Sequence, residues 1–77
     1  MKKEILREAK YRFNFDRTLY VNQAAKKAFS LEFVEDHSEE ELATRIKEGA
    51  SDSGWIFYFN NAPSDGVKRE LEKVLGA

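Results

Sequence analysis

The chain has 77 residues, no cysteine and a formal net charge of -1, and 13% of its residues are aromatic. A chain of this length is expected to form one small domain, burying only about 60% of the surface that it exposes when unfolded, so its core needs large side chains. The composition excludes disulfide frameworks and thiolate metal sites, and no apolar run approaches the roughly 18 residues of a membrane span, so we expect a cytoplasmic protein without membrane contact.

Charge is distributed unevenly along the chain. Residues 1–30 carry eight basic and three acidic side chains, whereas residues 31–77 carry five basic and eleven acidic ones. A basic first half can form a surface for an anionic partner. The two halves can also neutralise each other across the fold, and the near-zero total favours this second interpretation, because nucleic-acid-binding domains are usually basic as a whole.

The first elements show two patterns. Lys, Glu, Leu, Arg and Ala near the N-terminus favour a helix, whereas Ile5 and Tyr11 fall on odd positions with other apolar residues, as in a strand. We predict a frayed or helical start that becomes a strand near Lys10. Odd positions stay mostly apolar as far as Val21, which predicts one long strand or two short ones broken at Asp16-Arg17.

A hairpin is predicted next. Apolar residues alternate again over residues 28–35, which indicates a strand, and residues 23–27 are interpreted as a five-residue loop. Facing residues share one side of a sheet, so we expect Val21 opposite Phe29. A helix over residues 22–29 is the competing interpretation.

One short stretch has a family resemblance. Leu19-Tyr20-Val21-Asn22, followed by Lys-Lys-Ala-Phe-Ser, is similar to the first hairpin of a WW module. The paired tryptophans and the closing proline of that family are missing. Its binding of proline-rich peptides is therefore not transferred to this chain.

The clearest helix start lies in the acidic stretch that follows. Ser38 and Glu41 form a capping box, and Asp36 and Glu39 offer the same box two residues earlier. Three consecutive glutamates lie where the helix dipole favours negative charge. The pattern predicts a helix that runs to Glu48 and ends at Gly49.

The most apolar stretch of the chain is residues 55–59, which we predict to be a central strand. Alternation puts Trp55, Phe57 and Phe59 on one face, and Ile56 with Tyr58 on the other. The next helix is predicted to begin after Asn61 or Ser64 as its N-cap and to end at Gly76. Its apolar residues form one continuous face and are Val67, Leu71, Val74 and Leu75.

Together these elements predict an α+β fold, a three- or four-stranded mainly antiparallel sheet in the order β-β-α-β-α after an uncertain N-terminal element. Each helix has a one-sided apolar stripe, so we expect both to pack on the Trp55 face of the sheet. Tyr20, Ile56 and Tyr58 then lie outward on an open sheet face, unless an N-terminal helix covers them.

Catalytic residue types are scarce. His37 is the only histidine, and its position among acids at a helix start is typical of a solvated turn residue. Without cysteine, and with serines that loops, caps and strands explain, the sequence offers no nucleophile with a base. It also lacks metal-ligand spacing and a phosphate-binding loop. We expect no enzyme activity, no metal and no small-molecule cofactor.

The remaining prediction is a binding function. We expect a non-enzymatic module that binds a protein partner or forms a homodimer through the open sheet face. The alternative is nucleic acid bound by the basic N-terminal hairpin, with cations on phosphates and tyrosines stacking on bases. The candidate binding residues are Arg12, Arg17, Tyr20, Lys26, Lys27, Ile56 and Tyr58.

Overall fold

The computed structural model describes residues 2–6, 10–12, 17–48 and 54–76. Within these ranges the chain forms four helices and four strands. In chain order they are α1 (Lys2–Leu6), β1 (Lys10–Arg12), β2 (Thr18–Asn22), β3 (Lys27–Ser30), α2 (Leu31–Asp36), α3 (Glu39–Lys47), β4 (Ile56–Tyr58) and α4 (Asp65–Leu75).

The N-terminal segment follows its prediction. Helix α1 comes first and strand β1 begins at Lys10, so a helical start does become a strand there. Of the two versions of the next segment, the one with two short strands is confirmed, since β1 and β2 are separate. The predicted break reaches into residues 13–16, which lie outside the described residues.

The four strands form one sheet in the order β1-β2-β3-β4. Strand β2 pairs antiparallel with β1 and with β3, whereas β4 pairs parallel with β3. The predicted α+β class with a mainly antiparallel sheet is therefore confirmed. The strand predicted over residues 55–59 is confirmed as β4, Ile56–Tyr58, but the prediction that it is central is wrong, because β4 is an edge strand. It joins the sheet through α2 and α3, the kind of long connection that a parallel strand requires.

The hairpin between β2 and β3 differs from its prediction in register. A four-residue turn joins the strands, with Lys26 in the left-handed region at φ 54°. Val21 lies opposite Ala28 and Tyr20 opposite Phe29. The expected pairing of Val21 with Phe29 is wrong. Odd- and even-numbered residues are both buried in these two strands, so alternation of apolar residues does not distinguish the two faces of the sheet.

Strand β3 is shorter than predicted. The predicted strand over residues 28–35 ends at Ser30, and helix α2 follows at once. The Ser30 hydroxyl accepts a hydrogen bond from the Phe33 amide at 3.0 Å and so caps α2. The competing helix over residues 22–29 is also wrong, since a turn and a strand occupy it.

The structure decides between the predicted helix caps: Ser38 and not Asp36 caps α3, and Ser64 and not Asn61 caps α4. The Ser38 hydroxyl accepts from the Glu41 amide at 3.2 Å at the start of α3, which ends at Lys47, one residue before its predicted end. The Ser64 hydroxyl caps α4, and Gly76 ends that helix at φ 74°. Hydroxyls that satisfy unpaired helix amides and glycine at a left-handed end explain both boundaries.

Helices cover both faces of the sheet. On one side, which we name the α1–α3 face, six side chains form a buried cluster, with Leu31, Ile46 and Tyr58 packed against it. The six are Leu6, Tyr20, Phe29, Phe33, Val34 and Leu42. Leu6 is fully buried, so α1 contributes to the cover of this face.

The opposite side, the α4 face, has its own core. Leu19, Val21, Ala28 and Leu71 are fully buried there. The side chains packed around them are Tyr11, Trp55, Phe57, Phe59, Val67 and Leu75. The indole of Trp55 also donates to the Leu75 carbonyl at 3.2 Å. This bond links the C-terminal end of α4 to the residue that precedes β4.

The prediction that both main helices pack on one face is therefore wrong. Leu42 of α3 and Leu71 of α4 belong to clusters on opposite sides of the sheet. A one-sided apolar stripe predicts that one side of a helix is buried, but it does not predict on which face of a sheet the helix packs. The open sheet face expected from the sequence is covered.

Candidate functional site

The seven candidate binding residues do not form one surface. Arg12 and Lys26 are exposed, but β2 separates them: Arg12 pairs with Thr18, and Lys26 precedes the pair of Asn22 and Lys27. Four residues of strand span about 14 Å. The side chain of Arg17 is exposed as well. A nitrogen of its guanidinium group lies 3.8 Å from a Glu32 carboxylate oxygen, and the group lies over the Phe59 ring.

Lys27 is not available to an external phosphate. Its side chain is fully buried, and its ammonium group donates to main-chain carbonyls at the C-terminal end of α3. The Glu48 carbonyl lies at 2.7 Å and the Ile46 carbonyl at 3.4 Å, and the Arg45 carbonyl accepts as well. A cation in this position satisfies carbonyls that a helix end leaves unpaired and complements the helix dipole.

The two tyrosines expected to stack on bases are also engaged. Tyr20 is buried in the core of the α1–α3 face. Tyr58 is half-buried on the same face, and its ring stacks on Phe29 with centroids 4.8 Å apart. The prediction that Tyr20 and Tyr58 lie outward on an open face is wrong, since helices α1 to α3 cover that face.

Tyr58 also belongs to a polar cluster at the end of α3. Its hydroxyl donates to a Glu48 carboxylate oxygen at 3.2 Å, and the other Glu48 oxygen accepts from Arg45 at 2.9 Å. Burial raises the pKa of Tyr58 above its usual 10.0, the Glu48 charge and hydrogen bond raise it further, and Arg45 opposes them. The phenol is thereby held neutral as a hydrogen-bond donor.

His37 has a structural environment that its sequence context does not indicate. Its ring is half-buried and stacks on Phe33 with centroids 3.7 Å apart. Because a carbonyl can only accept, Nδ1 donates to the Phe33 carbonyl at 2.9 Å. The prediction of a solvated turn residue is therefore wrong: the imidazole closes the C-terminal end of α2.

The outer edge of β4 is the most distinctive surface of the described chain. Trp55, Ile56 and Phe57, followed by Tyr58 and Phe59, are all half-buried. The Ile56 amide donates to the Lys26 carbonyl at 2.9 Å, so it points toward β3. Main-chain groups alternate in direction along a strand, so those of Phe57 point away from the sheet. No strand of the described residues pairs there.

A cleft beside this edge does not resemble a reaction centre. A cleft of about 210 Å³ between Arg17, Phe59 and the start of α4 is lined by one cation and by neither an acid nor a histidine. It therefore lacks a general acid–base pair. Within the described ranges no three acidic or histidine side chains lie close enough to hold a metal ion. None of the helices described is both long and apolar enough to cross a membrane.

Comparison with known proteins adds no family assignment. No protein-family model matches this chain, and no significant match exists among curated proteins or among solved structures. The functional interpretation therefore depends on the geometry of the molecule alone.

Proposed function

We propose that this chain is a non-enzymatic interaction module that binds an extended segment of another polypeptide along the outer edge of β4. The observation that supports this most is the orientation of Phe57, which directs its amide and carbonyl away from the sheet. Such groups form a template for one more strand. Strand addition of this kind is a recurrent mode of peptide recognition.

The composition of the edge favours binding. Natural edge strands are commonly protected by charged residues, by proline or by a covering segment. Strand β1, at the other edge, carries Lys10 and Arg12 among its three residues. Residues 54–62, which include β4, contain no charged residue. The two edge strands thus differ in composition, since β1 contains charged residues and β4 contains none.

Side chains supply a second component of binding. Trp55, Phe57 and Phe59 pack on the α4 face, so each ring is held in place while the residue stays partly exposed. Rings fixed before binding lose little conformational entropy when a partner arrives. Main-chain hydrogen bonds then give affinity, and these rings select the residues that face them.

Nucleic acid has less support as a partner. Lys27 and Tyr20 are buried, and Tyr58 donates to Glu48, so three residues of that interface are engaged inside the fold. Arg12, Arg17 and Lys26 remain exposed, but Lys26 lies at the opposite end of β2 from the two arginines. The test below separates the two partners.

The proposal is tested by amide-shift titration of the protein with a valine–threonine peptide, N-methylated on alternate residues so that it pairs along one edge only. We expect the largest shifts at Trp55, Phe57 and Phe59, with slowed hydrogen exchange of the Phe57 amide. No shift at about 1 mM peptide, or shifts centred on β1, would contradict the proposal. Salt-sensitive shifts at Arg17 and Lys26 with an oligonucleotide instead would support the alternative.

A semisynthetic protein with N-methyl-Phe57 is the matched control. It loses the outward donor but keeps every side chain and the bond from Ile56 to Lys26. We expect it to fold as the unmodified protein does and to lose the peptide-induced shifts.

A further inference from the structure

We infer that the strand bound at this edge is β4 of a second copy of the same chain, antiparallel to the first, with the two-fold axis passing beside Phe57. The inference rests on the proposed function and names its partner. It follows from the symmetry of the main-chain groups, from the side-chain faces and from charge.

The outward main-chain groups are arranged symmetrically about Phe57. The Ile56 amide points inward to Lys26, so alternation within β4 directs the main-chain groups of Phe57 outward. In an antiparallel pair, two residues that face each other this way exchange both of their hydrogen bonds. An axis at Phe57 sets Phe57 against its own copy as a complete pair, and Trp55 then faces Phe59 of the second copy just beyond the ends of β4.

The side-chain faces match in the same register. Trp55, Phe57 and Phe59 pack on the α4 face in each copy, and the antiparallel pairing joins the two α4 faces into one. It also sets Ile56 against Tyr58 on the other face. A parallel two-fold pair would instead place the α4 face of one copy beside the α1–α3 face of the other. The antiparallel arrangement is thus the one that continues both cores.

The proposed pairing gives the Ile56 side chain an apolar neighbour. It is half-buried, yet it packs against neither core cluster of the described residues. Its two neighbours along the strand, Trp55 and Phe57, both do. In the proposed dimer the aliphatic side chain of Ile56 lies against the Tyr58 ring of the second copy, which removes apolar surface from water.

Charge does not oppose association of two identical edges. The stretch 54–62 is uncharged, so no like charges meet in the antiparallel register, and the net charge of the chain is only -1. The guanidinium groups beside this edge, those of Arg17 over the Phe59 ring and of Arg45 over the Tyr58 ring, already pair with Glu32 and Glu48 of the same chain. A strand with the same aromatic residues matches the edge on both faces.

Sedimentation across protein concentration tests the inference. Pairing of two β4 strands, each three residues long, forms a small interface, so we expect a reversible dimer whose average mass rises between about 10 µM and 1 mM. A strict monomer that still binds the valine–threonine peptide at Phe57 would overturn the inference and leave the proposed function intact. A monomer that binds no strand would overturn both.

Register is tested with a spin label at Asn61→Cys, an exposed position in a chain that has no other cysteine. An axis at Phe57 puts the two labelled residues on opposite sides of the axis, and because the chain bends at residues 60–61 after β4, we expect a distance of roughly 20 Å. A parallel pair in register would bring the same main-chain positions to within about 5 Å, and such short separations would overturn the antiparallel arrangement.

Two lysine substitutions locate the interface. Ile56→Lys puts a charge on the edge and should raise the dissociation constant at least tenfold. Val74→Lys, the matched control, places the same charge on the outer side of α4, where Val74 is 53% exposed. The Val74→Lys variant should leave the dimer unchanged.

The opposite result, with dissociation by Val74→Lys alone, would place the contact on α4 and overturn the inference. Circular dichroism checks that both variants fold.

Discussion

The ammonium group of Lys27 lies 2.7 Å from the main-chain carbonyl of Glu48, so a buried cation from the β2–β3 hairpin closes the end of α3. The contact joins residues that are 21 positions apart in the chain. It also fixes the main chain at Glu48, whose carboxylate accepts from Tyr58 beside the β4 edge. Lys27 thereby links the hairpin, α3 and the candidate binding edge.

Replacing Lys27 should destabilise the fold. Lys27→Met keeps the length and apolar stem of the side chain but leaves carbonyls at the end of α3 without their donor. Hydrogen bonds to charged groups contribute about 1.5 to 3 kcal/mol, so we expect the free energy of unfolding to fall by about 2 to 3 kcal/mol in urea titrations. Lys26→Met, on the exposed neighbour, should change it by less than about 0.5 kcal/mol. Equal effects of the two substitutions would refute this role for Lys27.

Glycine at position 26 should stabilise the protein. Lys26 has φ 54°, a conformation that costs a residue with a Cβ atom roughly 1 kcal/mol and that glycine adopts freely. Part of the gain is offset by the greater entropy of glycine in the unfolded chain, so we expect Lys26→Gly to raise the midpoint of thermal unfolding by a few degrees. Lys26→Ala retains the strain and should produce no comparable rise. A lower midpoint for the glycine variant would contradict this account.

Tyr58 predicts how stability changes at alkaline pH. Its folded-state pKa is raised above 10.0, chiefly by burial, so the neutral phenol contributes stability that is present below pH 10 and lost as pH rises through the folded-state pKa. We expect the free energy of unfolding to fall more steeply above about pH 10 in the unmodified protein than in Tyr58→Phe. Parallel curves for the two proteins would exclude the contribution.

A substitution at Glu48 separates its effect on the pKa of Tyr58 from the effect of burial. Glu48→Gln removes the negative charge beside the phenol, so the pKa of Tyr58, followed by ring proton shifts, should move back toward 10.0. It should remain above 10.0 because burial is the larger cause of the shift. An unchanged pKa would show that Glu48 does not act on the phenol.

Two residues on α4 test which side of that helix packs on the sheet. Leu71 is fully buried against Leu19, Val21 and Ala28, so Leu71→Ala should lower the free energy of unfolding by about 3 kcal/mol. Val74 is 53% exposed, and Val74→Ala should change it by less than about 0.5 kcal/mol. Urea titrations of both variants measure the difference. Comparable losses would mean that α4 packs through a different side.

Features with local causes could be predicted from the sequence. Ser38 and Ser64 cap their helices, and Gly76 ends α4, because each of these contacts joins residues at most four positions apart. The change from helix to strand near Lys10 was likewise visible in composition and spacing. The α2 helix was missed although Ser30 and Phe33 form a cap, because alternation of apolar residues continued across it and indicated a strand.

The sequence by itself determined the caps of α3 and α4, the end of α4 at Gly76 and the α+β composition of this protein, since these depend on neighbouring residues. Tertiary structure alone decided that α3 and α4 lie on opposite faces, that Lys27 is buried and that residues 55–59 lie at the edge. The physical reason is that a residue buried on either face of a sheet looks the same in sequence. Only the long-range contacts, such as that of Lys27 with Glu48, specify which face and which neighbour it has.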